Sequence, residues 1–213
     1  MKCGKEELLL YAVTDSRWLR GERLAGQVEK AVRGGATFVQ IREKEMDRED
    51  FLKEALEIKA VCRKYQVPFV VNDNVDIAVA ADADGVHVGQ SDMEAGDVRR
   101  RLGPDKIIGV SAQTVEQAVL AEKRGADYLG VGSVFSTGTK LDADYVSYDT
   151  LKAICKSVKI PVIAIGGITK ENMGSLAGSG ICGAAVVSAI FAAPDIEKAA
   201  GELAEAAREM VRQ

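Results

Sequence analysis

The chain holds a single histidine, and its four cysteines, Cys3, Cys62, Cys155 and Cys182, stand far apart with no paired spacing. Thiols scattered in this way argue against a zinc site or a disulfide framework, and reduced thiols in a cytoplasm are the expectation. No apolar run is long enough to cross a bilayer. Residues 1–7 lack the apolar core of a signal peptide. A large charge of either sign is missing too. The net charge is −4, which gives no general attraction to nucleic acid or to an acidic membrane. An anionic ligand would therefore be held by local cations and metal. There is no linker or low-complexity stretch. No glycine-rich turn follows the first strand-like run, where a dinucleotide-binding doubly wound sheet would carry one.

What is present is an alternation. Short apolar runs at 8–13, 38–42, 69–71, 85–89, 107–111, 128–133, 161–167 and 184–188 are separated by helical patterns. One such pattern places Leu24, Val28 and Val32 on a face and ends at Gly34-Gly35. Another carries Phe51, Leu52, Ala55 and Leu56, and Pro68 breaks the chain after it. Thr114 is a good cap for the helix behind it. The clearest helix is the last, with Ile196, Ala199, Ala200, Leu203, Ala207, Met210 and Val211 at helical spacing, started by Asp195 after Pro194. A faint repeat links 30–40 with 123–131, each a helix turning through Gly-Ala into a strand. A length of 213 residues fits one α/β barrel or two small domains. Eight strand–helix units select the first: a single-domain (β/α)₈ TIM barrel spanning 1–213, with the doubly wound sheet as the competing fold.

In such a barrel the active site lies where the strands end. The second strand ends in Gln40-Ile41-Arg42-Glu43-Lys44. Alternation turns Gln40, Arg42 and Lys44 the same way, and two cations with an amide suit a polyanion such as a diphosphate. The bland alternative is a solvated patch in which Arg42 and Lys44 pair with Glu43 or Glu45. The third strand ends in Asn72-Asp73, and Asp92 follows the fourth. These two acids could share one hard cation, most simply Mg²⁺, or could each cap the next helix. Ser111 ends the fifth strand. Thr137-Gly138-Thr139-Lys140 lies beyond the sixth, where hydroxyls, backbone N–H groups and a cation could cradle a phosphate. Gly166-Gly167 and Val187-Ser188 end the last two strands, a common phosphate-binding position in these barrels. The mouth thus offers two anion sites, one with metal and one without. His87 falls mid-strand and reads as packed. General-base or nucleophilic catalysis is poorly supplied.

These motifs, together with 85–92 and Gly109-Val110-Ser111, resemble the thiamine phosphate synthase family in order and spacing from Tyr11 to about Ala193. The resemblance implies a transferase that joins a hydroxymethylpyrimidine diphosphate to a thiazole phosphate and releases diphosphate. It implies that Asp73 and Asp92 hold Mg²⁺. It further implies that Gln40, Ile41, Arg42, Glu43, Lys44, Asn72, Ser111 and Lys140 form the diphosphate side, with Arg42, Lys44, Lys140 and Ser111 catalytic. Thr137, Gly138, Thr139, Gly167, Val187 and Ser188 would take the thiazole phosphate. The implied partners are these small molecules, with neither nucleic acid nor membrane, and a homo-oligomer is left open. Ser136, Leu141 and Gln113 depart from the common pattern without removing a proposed ligand. The sister thiazole tautomerases share the barrel, but their expected histidine near 134–135 is replaced here by Ser133. A non-catalytic binding protein of the same pathway and a sugar phosphate isomerase are the remaining rivals; the isomerase would need an acid–base pair that the mouth does not display.

Overall fold

The computed structural model describes residues 3–136 and 145–213. The apolar runs form eight short strands: β1 (Leu10–Val13), β2 (Phe38–Ile41), β3 (Phe69–Asn72), β4 (Gly85–Val88), β5 (Ile107–Ala112), β6 (Tyr128–Val131), β7 (Val162–Ile165) and β8 (Gly183–Val186). Every neighbour pairs in parallel, and β8 returns to β1 with Ala185 opposite Tyr11, closing the barrel. A closed parallel sheet has no free edge and needs cover only on its outer face. That cover comes from α1 (Leu24–Gly34), α2 (Arg48–Tyr65), α3 (Val75–Ala80), α4 (Ala95–Leu102), α5 (Val115–Lys123), α6 (Tyr148–Ser157), α7 (Lys170–Met173), α8 (Ser188–Phe191) and α9 (Ile196–Arg212). This is the expected (β/α)₈ barrel. Among the described residues no helix is long and apolar enough to cross a membrane, and all four cysteines are free thiols.

Because side chains alternate along each strand, the apolar residues divide into two cores. Leu10, Val39, Val71, Val86, Ile108 and Leu129 face outward and pack under the helices. Tyr11, Phe38, Val70, Ile107, Tyr128 and Ile163 face inward and fill the barrel. The same alternation sends Gln40, Asn72, His87 and Ser111 inward, two positions or more nearer the mouth than the strand's first inward residue.

The local stops and starts follow the chemistry of the chain. Gly35 ends α1 at φ 116°, a region open to glycine at little cost. Thr114 caps α5 by accepting from the Gln117 N–H, and Asp195 caps α9 by accepting from the Lys198 N–H. The α2 C-cap is Gln66 in the left-handed region, two residues before Pro68.

Candidate active site

The two aspartates settle their own ambiguity. At the end of β3, Asp73 adopts φ 59°, and its N–H donates to the His87 carbonyl at 2.8 Å. A left-handed residue that is not glycine costs about 1 kcal/mol or more. The turn hands the capping of α3 to Asn74, whose Oδ1 accepts from the Ile77 N–H at 3.0 Å. Asp73 is therefore free to face the mouth. Asp92 does not cap α4 either, since that N-cap is Glu94. Its Oδ2 instead accepts from the Gly89 N–H at 2.8 Å, which holds the β4 loop in a tight turn.

The two carboxyl groups face one another closely enough for like charge to disfavour ionisation of Asp73. Burial first, then the bond and charge of Asp92, push Asp73 up to about 6, against the pull of the Asn72 amide and the Lys44 charge. They line a cleft of about 580 Å³ together with Glu43, Lys44, Asn72 and Arg101.

On the β2 side, the Arg42 N–H donates to Thr14 Oγ1 at 3.0 Å, which ties the strand end to β1. Among the described residues, no hydrogen bond or ion pair engages the side chains of Arg42 and Lys44, so the bland pairing with Glu43 or Glu45 is absent there. Glu43 is occupied elsewhere: its Oε2 accepts from Ser16 Oγ at 3.0 Å. Burial raises its pKa, and the neighbouring Glu54 on α2 is pushed up to about 7 by burial and then by Glu43. Ile41 points outward and is fully buried beneath the helices, leaving only its main chain for a ligand at the mouth. Gln40 and Ser111 face the barrel axis. Ser111 Oγ lies 3.0 Å from His87 Nε2.

The opposite rim is built from the last strands. Gly166 and Gly167 adopt φ 103° and 63°. A Cβ on Gly166 would meet Ser133 Oγ at 2.2 Å, and one on Gly167 would meet the Ser136 carbonyl at 2.3 Å. Only glycine fits between this turn and the β6 loop. The Asn172 side-chain amide donates to the Gly167 carbonyl at 2.8 Å. After β8, Val187 is the N-cap of the short α8, and Ser188 is its first residue. An extra short helix at this place is where such barrels commonly take phosphate. Thr137, Gly138, Thr139, Lys140 and Leu141 lie outside the described residues.

Sequence reasoning did not anticipate Arg101. It reaches the cleft wall from the last turn of α4 and is bound to Asp76 there. The run Arg99-Arg100-Arg101 marked that turn as basic, but a short polar helix does not announce which arginine faces the mouth. Arg99 turns away instead, to a buried pairing with Asp127 at 2.5 Å.

A family model described as thiamine monophosphate synthase matches residues 10–190. The chain belongs to this family. The thiamine-phosphate synthase of Ruminiclostridium cellulolyticum is 51% identical over 202 residues, covering 95% of this chain and 96% of that protein. That of Clostridium botulinum is 49% identical over 202 residues, covering 95% of each. Among solved structures, a thiamine phosphate pyrophosphorylase from Pyrococcus furiosus superposes with a TM-score of 0.89 at 41% identity, covering 97% of this chain and 98% of that one. Thus family membership spans both rims of the mouth, the acid pair and the glycine turn alike.

Proposed function

We propose that this protein is a transferase of thiamine biosynthesis that couples 4-amino-2-methyl-5-hydroxymethylpyrimidine diphosphate to 4-methyl-5-(2-phosphoethyl)thiazole, forming thiamine phosphate and diphosphate. The observation that carries the reading is the facing of Asp73 and Asp92 beside Lys44, in a chain about half identical to proteins named for this activity. It works as one barrel domain, in a cytoplasm that keeps its thiols reduced.

The donor set suits Mg²⁺. Two carboxylates that repel one another across a cleft suit a cation placed between them. Among the described residues no third His, Cys, Asp or Glu joins them in a closed cluster. Mg²⁺ binds through one or two carboxylates with waters and phosphate oxygens, so the count fits. When bound, it supplies charge neutralisation on the leaving diphosphate. Arg42 and Lys44, with Lys140, hold the diphosphate oxygens and stabilise the charge that grows on them as the C–O bond breaks. Gln40, Asn72 and Ser111 orient the pyrimidine, whose amino group stabilises the resulting ring-methyl cation. Thr137, Gly138, Thr139, Gly167, Val187 and Ser188 anchor the thiazole phosphate so that its nitrogen meets that carbon, and this positioning supplies much of the rate. No protein base is needed, because the attacking nitrogen carries no proton.

Purified protein with both substrates and Mg²⁺ should release diphosphate and form thiamine phosphate. Isomerisation of a thiazole carboxylate phosphate without coupling would return the tautomerase reading, and tight product binding without turnover would return the binding protein. Ser133 disfavours the tautomerase, since it is buried and its hydroxyl donates to the Phe135 carbonyl.

Two further results are expected. Because Asp73 is raised to about 6, its proton competes with the cation below that pH. Mg²⁺ affinity should climb as pH rises through 6, and level off above it once Asp73 has lost its proton. Calorimetric titration at about pH 5, 6 and 8 reads this; an affinity that is flat across the series would separate Asp73 from the metal. Ser188→Ala should raise KM for the thiazole phosphate about tenfold, the worth of one hydrogen bond to a charged group, and leave KM for the pyrimidine diphosphate unchanged. Equal losses for both substrates would contradict the division of the mouth.

A further inference from the structure

A chain of hydrogen bonds crosses the barrel interior beneath the mouth. Gln40 Nε2 lies 2.6 Å from the Tyr11 hydroxyl, which lies 2.8 Å from the Tyr128 hydroxyl. Tyr128 Oη is 2.9 Å from His87 Nδ1, and His87 Nε2 is 3.0 Å from Ser111 Oγ. The links run from β2 through β1, β6 and β4 to β5. Each is buried except for Ser111, which is half-buried at the mouth.

Room for this chain is cut from the neighbouring strands. A Cβ on Gly109 would lie 2.2 Å from Tyr128 Cζ and 2.5 Å from His87 Nδ1. One on Gly130 would lie 3.1 Å from His87 Cε1. Glycine in mid-strand weakens a sheet and marks a close approach. Two of them around one buried imidazole and one phenol show that the arrangement is built into the barrel.

The direction of the chain follows from its first bond. An amide nitrogen only donates, so Gln40 donates to the Tyr11 oxygen. Among the described residues the Tyr11 hydroxyl has one other polar partner, so its proton goes to the Tyr128 oxygen. The Tyr128 proton then goes to His87 Nδ1, since a buried hydroxyl proton without an acceptor is costly. With Nδ1 accepting, the imidazole carries its proton on Nε2 and donates to Ser111 Oγ. The Ser111 proton is left for the mouth, and the Gln40 carbonyl oxygen is left as an acceptor. Run the other way, every bond would reverse, and Tyr11 would donate to Gln40 Oε1. The structure places Nε2 there.

We propose that Tyr11, Tyr128 and His87 are positioning residues that hold Gln40 as an acceptor and Ser111 as a donor, so that the site selects a ring bearing an amino group over one bearing a carbonyl oxygen in its place. This rests on the synthase reading for the identity of the ring. An amino substituent donates to Gln40 Oε1; a carbonyl oxygen there would face it lone pair to lone pair. Because the bonds all run one way, each strengthens the next.

The test uses the fact that His87 is the only histidine. Histidine labelled with ¹⁵N in the intact protein, carrying no histidine tag, gives one pair of ring signals. A protonated Nε2 and a bare Nδ1 are expected at neutral pH; a proton on Nδ1 overturns the proposal. Tyr11→Phe and Tyr128→Phe should each raise KM for the aminopyrimidine diphosphate about tenfold and lower the preference for it over its 4-oxo analogue about tenfold, the worth of one lost hydrogen bond. KM for the thiazole phosphate should not move. A merely structural role would move both KM values together and keep the preference, and that result also overturns the proposal. Should the unaltered protein fail to couple the substrates, the synthase reading falls, while the ring signals still decide the direction of the chain.

Discussion

Asp92→Ala should cut turnover about 10²- to 10³-fold, the effect expected when one preorganised charge is removed from a site where charge develops. It should also move the Mg²⁺ dependence to much higher concentrations. The reason lies in the pairing with Asp73. Removing Asp92 leaves one carboxylate in a half-buried cleft, relieved of the neighbour that raises its pKa. The remaining site attracts a divalent cation with half the protein charge. Asp92 also holds the Gly89 N–H, so the substitution loses a turn bond worth about 1 kcal/mol. Melting curves separate this small loss from the kinetic one. A Mg²⁺ titration that matches the unaltered protein would remove Asp92 from the metal site.

Gly85→Ala should lower stability by about 3 kcal/mol, the upper end for overpacking. In a chain of this size that is about 6–12 °C in Tm. Gly85 begins β4 opposite Ile107 of β5. A Cβ there would sit 2.0 Å from the Ile107 carbonyl oxygen and 2.7 Å from its Cβ. Backbone cannot yield as a flexible side chain can, so the two strands must part. They carry His87 and Ser111, and β4 leads into the loop of Asp92, so activity should fall with stability. Gly26→Ala is the contrast: it lies in α1 with nothing within 4 Å of the added atom. That change should be neutral or gain up to about 1 kcal/mol, the helix propensity of alanine over glycine. Thermal unfolding of the two variants reads both signs. Equal Tm values would refute the close approach at Gly85.

How much of the site was legible depended on the kind of signal. Residues at strand ends were found because the barrel places them by topology: Lys44, Asn72, Asp73 and Asp92 line one cleft. The family resemblance put Ile41 among the binding residues, and its side chain faces the helices. A one-residue step along a strand reverses the face, and a motif written as five consecutive letters conceals that. His87 read as packed, and it is, yet packing is only part of its setting. Tyr128, its partner, and Tyr11 beyond it lie 41 and 76 positions away in the chain. No local pattern links them.

The order of apolar runs and helical faces was enough to determine an eight-stranded barrel, because period-two and period-3.6 patterns are set by neighbours a few residues apart. The strand-end motifs likewise determined the family and the two acids. Whether those acids cap helices or face each other was decided only in three dimensions, by the left-handed turn at Asp73 that gives the cap to Asn74. The meeting of Gln40, Tyr11, Tyr128, His87 and Ser111 in one line of hydrogen bonds was decided there too. Both outcomes depend on groups from different strands meeting at about 3 Å, and the distance between strands is set by barrel closure rather than by any stretch of the chain.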